Sequence, residues 1–185
     1  YADCEGNNHD WVFTYLIDDI TPPTGTAPAD IFGLQCFADV PVADINLIVD
    51  EVDNCGGPVV VTVNDLNNGG SGCSDSPYIV TRTYTLTDCS GLTTDLVQTI
   101  TVIDNTLPVI SCLAEINVTN DNNLCGATVS VPSPVSSDAC SSVSLVNSYN
   151  LTSDASGYYP VGTTTVIWTA TDACGNTNTC SFTVT

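Results

Sequence analysis

Lysine and methionine are absent from these 185 residues, and one arginine, Arg82, and one histidine, His9, are the only basic side chains. Against them stand 21 aspartates and glutamates, which leave a formal net charge of −20. Such an imbalance excludes a nucleic-acid backbone or an anionic membrane surface as a partner, because both would be repelled. The compact chain also repels itself. At physiological salt the screening length is ~8 Å, so small ions relieve this only in part. A bound divalent cation would relieve it further.

Long apolar runs are missing too. The longest, such as Pro58-Val59-Val60-Val61, is far too short to span a bilayer, so no membrane insertion is expected. No signal peptide opens the chain, as expected if the mature form of a secreted protein begins after one. No C-x-x-C pair occurs, and with one histidine the chain lacks the ligand spacing of a compact zinc site. Nor is there a catalytic set. His9 lies beside Asp10 in a turn without a nucleophile to activate, and no cleft-forming insertion separates a pair of carboxylates for glycoside hydrolysis. The expectation is that the chain is not an enzyme.

What is present points to strands. Hydrophobic residues make up 43% of the chain, with many Val, Ile and Thr, frequent Gly and Pro, and no stretch at helical spacing. Ten cysteines imply an oxidising, extracellular or cell-surface setting and a disulfide framework.

The chain also repeats. Asp3-Cys4-Glu5-Gly6-Asn7 returns as Asp88-Cys89-Ser90-Gly91 and again as Asp172-Ala173-Cys174-Gly175-Asn176, with Cys-to-Cys steps of 85 residues. Val52-Asp53-Asn54-Cys55 and Ser137-Asp138-Ala139-Cys140 keep the same step of 85. Ile17-Asp18-Asp19-Ile20-Thr21-Pro22 recurs as Ile103-Asp104-Asn105-Thr106-Leu107-Pro108, 86 residues later. Three motifs at one period indicate a tandem array. Residues 1–18 match only the end of a repeat, 19–103 form one whole repeat, and 104–185 a second. The opening phase fits either a window on a longer array or a strand donated to a neighbouring molecule.

Alternation and turn residues predict strands at 58–63, 78–87 and 95–103 in the first repeat. In the second they predict strands near Ile116 and Val118, at 127–131, 142–149, 163–171 and 178–184, with short pieces near 151–156. Residues 11–17 read as an alternating strand through Trp11, Phe13, Tyr15 and Ile17. About seven short strands per repeat predict an all-β fold of tandem immunoglobulin-like β-sandwich domains.

Tyr159-Pro160-Val161-Gly162-Thr163-Thr164-Thr165-Val166, the run Trp168 to Asn176 and Thr179-Cys180-Ser181-Phe182-Thr183-Val184 carry a resemblance. The second repeat resembles the HYR-type, immunoglobulin-like repeats of very large surface proteins, especially of Bacteroidetes-like bacteria. The first resembles a variant, with Leu92 where the second has Asn176. The resemblance implies a stalk, fibre or adhesion role and not catalysis.

In an immunoglobulin-like topology, loops at a shared end would pair Cys55 with Cys89 and Cys140 with Cys174. The opposite end would pair Cys36 with Cys73, and the parallel first and last strands would pair Cys112 with Cys180. Cys4 and Cys125 remain, and one of them is a candidate for bonding between molecules. A free buried thiol at Cys125 is the alternative.

The acidic junctions and loops suggest calcium. Asp18, Asp19, Asp53, Asp88, Asp104, Asn105, Asp138 and Asp172 fall where oxygen ligands from neighbouring domains would converge, and extracellular modules bind calcium at ~10⁻⁴ to 10⁻³ M. Capping of turns explains the same residues without an ion. Asn117-Val118-Thr119 and Asn150-Leu151-Thr152 match the N-glycosylation pattern, and surface Ser and Thr could carry glycans.

Arg82, mid-strand, predicts a structural ion pair. Trp11 and Trp168 read as core. The leading expectation is a structural, extracellular filament or surface-stalk segment whose partners are other copies of itself or further repeats. The alternative is a carbohydrate- or protein-binding adhesion module that uses loops at one sandwich end, with Tyr158 and Tyr159 as its aromatic candidates.

Overall fold

The computed structural model describes every residue except Tyr1, Asp3 and His9. The fold is all-β and of immunoglobulin-like sandwich type, with no α-helix among the described residues. Two hydrophobic clusters with no residue in common define two units.

The first unit is built on four strands: β1 (Ile31–Leu34), β2 (Val60–Asn67), β3 (Tyr78–Thr87) and β4 (Thr93–Val102). They form one sheet in the order β1-β4-β3-β2, with β1 parallel to β4 and the other pairs antiparallel. On β3 the inward positions are Val80, Arg82, Tyr84 and Leu86, all buried. That is the period-2 pattern of a half-buried strand. The facing layer is mostly irregular chain, held by a Thr24–Val52 bridge and by Ile48, which packs with Tyr84, Leu86 and Leu96. Gly25 lets this layer approach, since a Cβ there would lie 3.0 Å from a Leu86 methyl. Strands β2, β3 and β4 were legible in the alternation, and β1 was not expected. The facing layer was not legible, because it has no strand periodicity to read.

The second unit comprises β5 (Val109–Ser111), β6 (Gly126–Val129), β7 (Val135–Ser137), β8 (Ser144–Asn147), β9 (Gly157–Pro160), β10 (Thr164–Thr171) and β11 (Thr177–Val184). One layer is the sheet β11-β10-β8, and the other consists of the pairs β5-β7 and β6-β9. Between them lie Val129, Tyr159, Val166, Trp168, Phe182 and Val184. Trp168 is in the core, as its alternation predicts. Ile116 makes a lone parallel bridge to Val184 instead of a strand. The short pieces sought near 151–156 fall instead at β9.

The strand expected at 11–17 is absent. Residues 10–23 carry no strand, and Trp11, Phe13, Tyr15 and Ile17 are 74, 72, 83 and 93% exposed. Counted 85 residues on, they correspond to Leu96, Gln98, Ile100 and Val102, all of them buried on β4. The alternation is present, but among the described residues no hairpin partner lies beside this segment. Trp11 is therefore a surface residue and not core.

Arg82 reaches across to its register partner on β2, Asp65. Its Nε and Nη2 donate to the two carboxylate oxygens at 2.8 Å each, and Nη2 also donates to the Pro41 carbonyl. The expected structural ion pair is thus Arg82–Asp65. His9 lies outside the described residues.

Candidate metal and cross-link sites at the unit junction

The junction is set by local turn chemistry. The Asp172 carboxylate Oδ1 accepts from the backbone N–H groups of Cys174 and Asn176, which fixes the turn between β10 and β11. Asp138 Oδ1 does the same for Cys140 and Ser141. Such side-chain-to-backbone bonds are the usual work of aspartate in turns. Both turns face the end of the first unit where Cys36 follows β1 and Cys73 precedes β3.

The cysteines pair across that junction. Cys36 is bonded to Cys140 and Cys73 to Cys174, with Cα atoms 4.9 and 5.1 Å apart. This corrects the expected pairings of Cys36 with Cys73 and of Cys140 with Cys174. The ends of the two units were assigned correctly, but each cysteine finds its partner in the facing unit. Polar bonds add to the contact. Gln35 Oε1 accepts from the Asn105 N–H and the Thr106 hydroxyl, Asp104 N–H donates to the Gly72 carbonyl, and Asn176 Nδ2 donates to the Asp104 carbonyl.

Among the described residues Cys4, Cys55, Cys89, Cys112, Cys125 and Cys180 are free thiols. Cys55 and Cys89 are close without being bonded, since Gly57 lies against Cys89 and the Cys89 Sγ contacts the Gly56 carbonyl. Interaction with the Asp19 carboxylate pushes the Cys55 thiol up to about 11. The expected bonds Cys55–Cys89 and Cys112–Cys180 are therefore also corrected, although Cys180 and Cys112 interact. Burial, with a hydrogen bond to Cys112 as the next cause, raises the Cys180 thiol to about 12. Cys125 is exposed, which corrects the alternative of a buried thiol.

The turns bearing Cys89 and Cys174 differ by one step. Gly91 N–H donates to the Asp88 carbonyl and Gly175 N–H to the Asp172 carbonyl. The turns therefore superpose Asp88 on Asp172, and Cys174 on Ser90, not on Cys89. Counting from cysteine to cysteine hid this shift.

The carboxylates singled out in sequence gather in two groups. Asp104, Asp138 and Cys140 place one ligand atom each within 4.8 Å of the others, and Asp19, Asp53 and Cys55 do the same in the first unit. Asp172 stands near enough to Asp104 to act on its titration. Burial, joined by the charges of Asp138 and Asp172, raises the Asp104 carboxyl above its ordinary value. Asp138 goes the other way, held down mainly by the Cys140 N–H. Asp104 is 5% exposed, and its Oδ2, like that of Asp138, is buried without a hydrogen-bond partner. Asp88 Oδ2 is also unpartnered, because Leu92 stands where Asn176 donates to Asp172. Asp18 and Asn105 belong to neither group.

Residues 103–185 match the HYR domain. That match covers the whole second unit. Hyalin from Strongylocentrotus purpuratus is 35% identical over 109 residues, which cover 57% of this chain and 9% of hyalin. The chain thus spans a small part of the curated relative, which comes from no bacterium, so a bacterial setting gains no support. Among solved structures, Drosophila N-cadherin EC1-4 aligns over 89% of this chain and 49% of its own, at 14% identity and a TM-score of 0.37. Protocadherin gamma C5 EC1-3 aligns over 88% and 67%, at 9% identity and a TM-score of 0.34. These scores carry no argument about this chain. Among the described residues no helix is long and apolar enough to cross a membrane.

The glycosylation motifs fare differently. Asn117 is exposed. Asn150 is engaged in its turn, donating to the Asp154 carbonyl and accepting from Asn147.

Proposed function

We propose that this chain is a non-catalytic, extracellular structural segment of a surface stalk or filament, in which successive β-sandwich units are joined by paired disulfides. The observation that carries the reading is the pair of bonds Cys36–Cys140 and Cys73–Cys174. They make the junction a covalent clamp with two attachment points, which resists bending as well as separation. The acidic surface, with one arginine engaged in the first unit, keeps neighbouring chains apart except where such a clamp forms.

Two features of the first unit support continuation of the pattern. Cys55 lies 85 residues before Cys140, in a turn of the same kind in which Asp53 accepts from the Cys55 N–H. With the nearby Cys89 it presents two exposed thiols at the end opposite the junction. The apolar strip Trp11, Phe13, Tyr15 and Ile17 repeats the core face of β4 and calls for a sheet supplied by another unit. Further units of the same polypeptide or another copy of the chain are the partners that fit. The adhesion alternative is weaker on aromatics, because Tyr159 is buried and only Tyr158 of that pair is exposed.

Single-molecule pulling tests the reading. In the oxidised chain the two cross-junction bonds should withhold most of the length between Cys36 and Cys174, and a thiol reductant should release it. Equal contour lengths with and without reductant would contradict the clamp.

A further inference from the structure

The junction holds more negative charge than its hydrogen bonds account for. Asp104 and Asp138 turn toward one another beside Asp172, at the point where the units are sewn together. Asp104 is more than nine-tenths buried, and its Oδ1 is taken by the Thr106 N–H while its Oδ2 has no donor at all. Asp138 repeats the arrangement, with Oδ1 in the turn and Oδ2 bare. A buried carboxylate oxygen without a donor is costly, and two facing one another are more so. Among the described residues no side-chain cation stands by to offset them, since the chain has no lysine and Arg82 is bound to Asp65.

We propose that Asp104 and Asp138, with the charge of Asp172 beside them, form a site for a divalent cation of the calcium class within the junction. The donor set decides the class. The third atom of the group is the Cys140 sulfur, which is spent in the bond to Cys36 and offers no thiolate. That leaves oxygen, which suits a hard cation and not zinc or copper. With few protein oxygens, water completes the shell, which places the affinity in the range of ~10⁻⁴ to 10⁻³ M seen for extracellular modules. The ion would sit between the loop that enters the second unit and the Asp138 turn that carries Cys140. Binding and disulfide closure therefore favour the same arrangement.

The test is calorimetric titration of the full, oxidised chain with calcium chloride, alongside thermal unfolding. Wild type should take up calcium and gain in melting temperature. D104N/D138N should lose one binding equivalent, whereas Glu115→Gln, at an exposed carboxylate of the second unit outside both groups, should keep it. Should a variant fold poorly, hydrogen exchange of the wild-type chain gives the same answer, with calcium-dependent protection at 104–106 and 138–141. No heat and no protection up to about 10 mM calcium, an order of magnitude above that affinity range, would overturn the proposal. So would an unchanged stoichiometry in D104N/D138N, or stabilisation by D104N that calcium does not alter, which would indicate a shared proton instead.

Discussion

Cys73 in the first unit is bonded to Cys174 in the second, across a junction that brings their Cα atoms to 5.1 Å. The bond closes a loop of sequence separation 101, and its neighbour Cys36–Cys140 closes one of 104. On the loop-entropy model a single closure of about 100 residues contributes about 4 to 5 kcal/mol, and the second, inside an already closed loop, contributes less. The expected outcome is that C36S/C140S and C73S/C174S each lower stability moderately, because the remaining bond still closes a long loop, and that removing both bonds costs more than twice either one. Urea unfolding of the three variants checks this.

Arg82 and Asp65 should respond asymmetrically to mutation. Arg82 is 2% exposed and its partner 38%. Asp65→Ala strands a buried guanidinium and should cost about 2 to 3 kcal/mol. Arg82→Met leaves a carboxylate that can hydrate, and it should cost less than half as much. Denaturant melts of the two variants decide it.

The same pair sets a pH window. The Arg82 guanidinium holds the Asp65 carboxyl below its ordinary 3.8. Its contribution is therefore complete above the unfolded value and is lost as pH falls through the folded one. The advantage of wild type over Asp65→Asn should be level from neutrality down to about pH 5 and should shrink below about pH 4. Melting curves of both proteins across that range are the measurement.

Cys112, just after β5, and Cys180, midway along β11, interact as thiols. A thiol raised that far is scarcely ionised at neutral pH, so exchange through it is slow. The expectation is that alkylation at neutral pH labels Cys125 and Cys4 well before Cys180. Timed labelling with mass readout tests the order, and fast labelling of Cys180 would contradict the burial assigned to it.

Gly126 and Gly157 lie in the paired strands β6 and β9 and should tolerate substitution differently. A Cβ on Gly126 would meet the Tyr159 carbonyl oxygen at 2.2 Å, which is backbone and cannot yield. On Gly157 it would meet the Tyr149 ring at 3.1 Å, and a ring can turn. Gly126→Ala should destabilise by about 3 kcal/mol and Gly157→Ala by about 1, as thermal unfolding would show.

The long strands of both main sheets were legible because one face of each is buried and the other solvated, which writes a period of 2 into β3, β4, β10 and β11, whereas the four-residue β1 was not expected. The Asp19–Asp53 and Asp104–Asp138 groups were legible because turn aspartates recur at the repeat period. The disulfide partners were not. Cysteine spacing says which end of a sandwich a residue occupies, but not whether its partner lies in the same unit or across the junction. The position of residues 10–17 was hidden for a similar reason. An alternating strip declares a buried face without declaring what buries it.

The most direct test of the covalent clamp is peptide mapping of the unreduced chain after proteolysis between Cys36 and Cys73 and between Cys140 and Cys174. The account predicts linked peptides joining Cys36 to Cys140 and Cys73 to Cys174. Peptides joining Cys36 to Cys73 and Cys140 to Cys174 would contradict it.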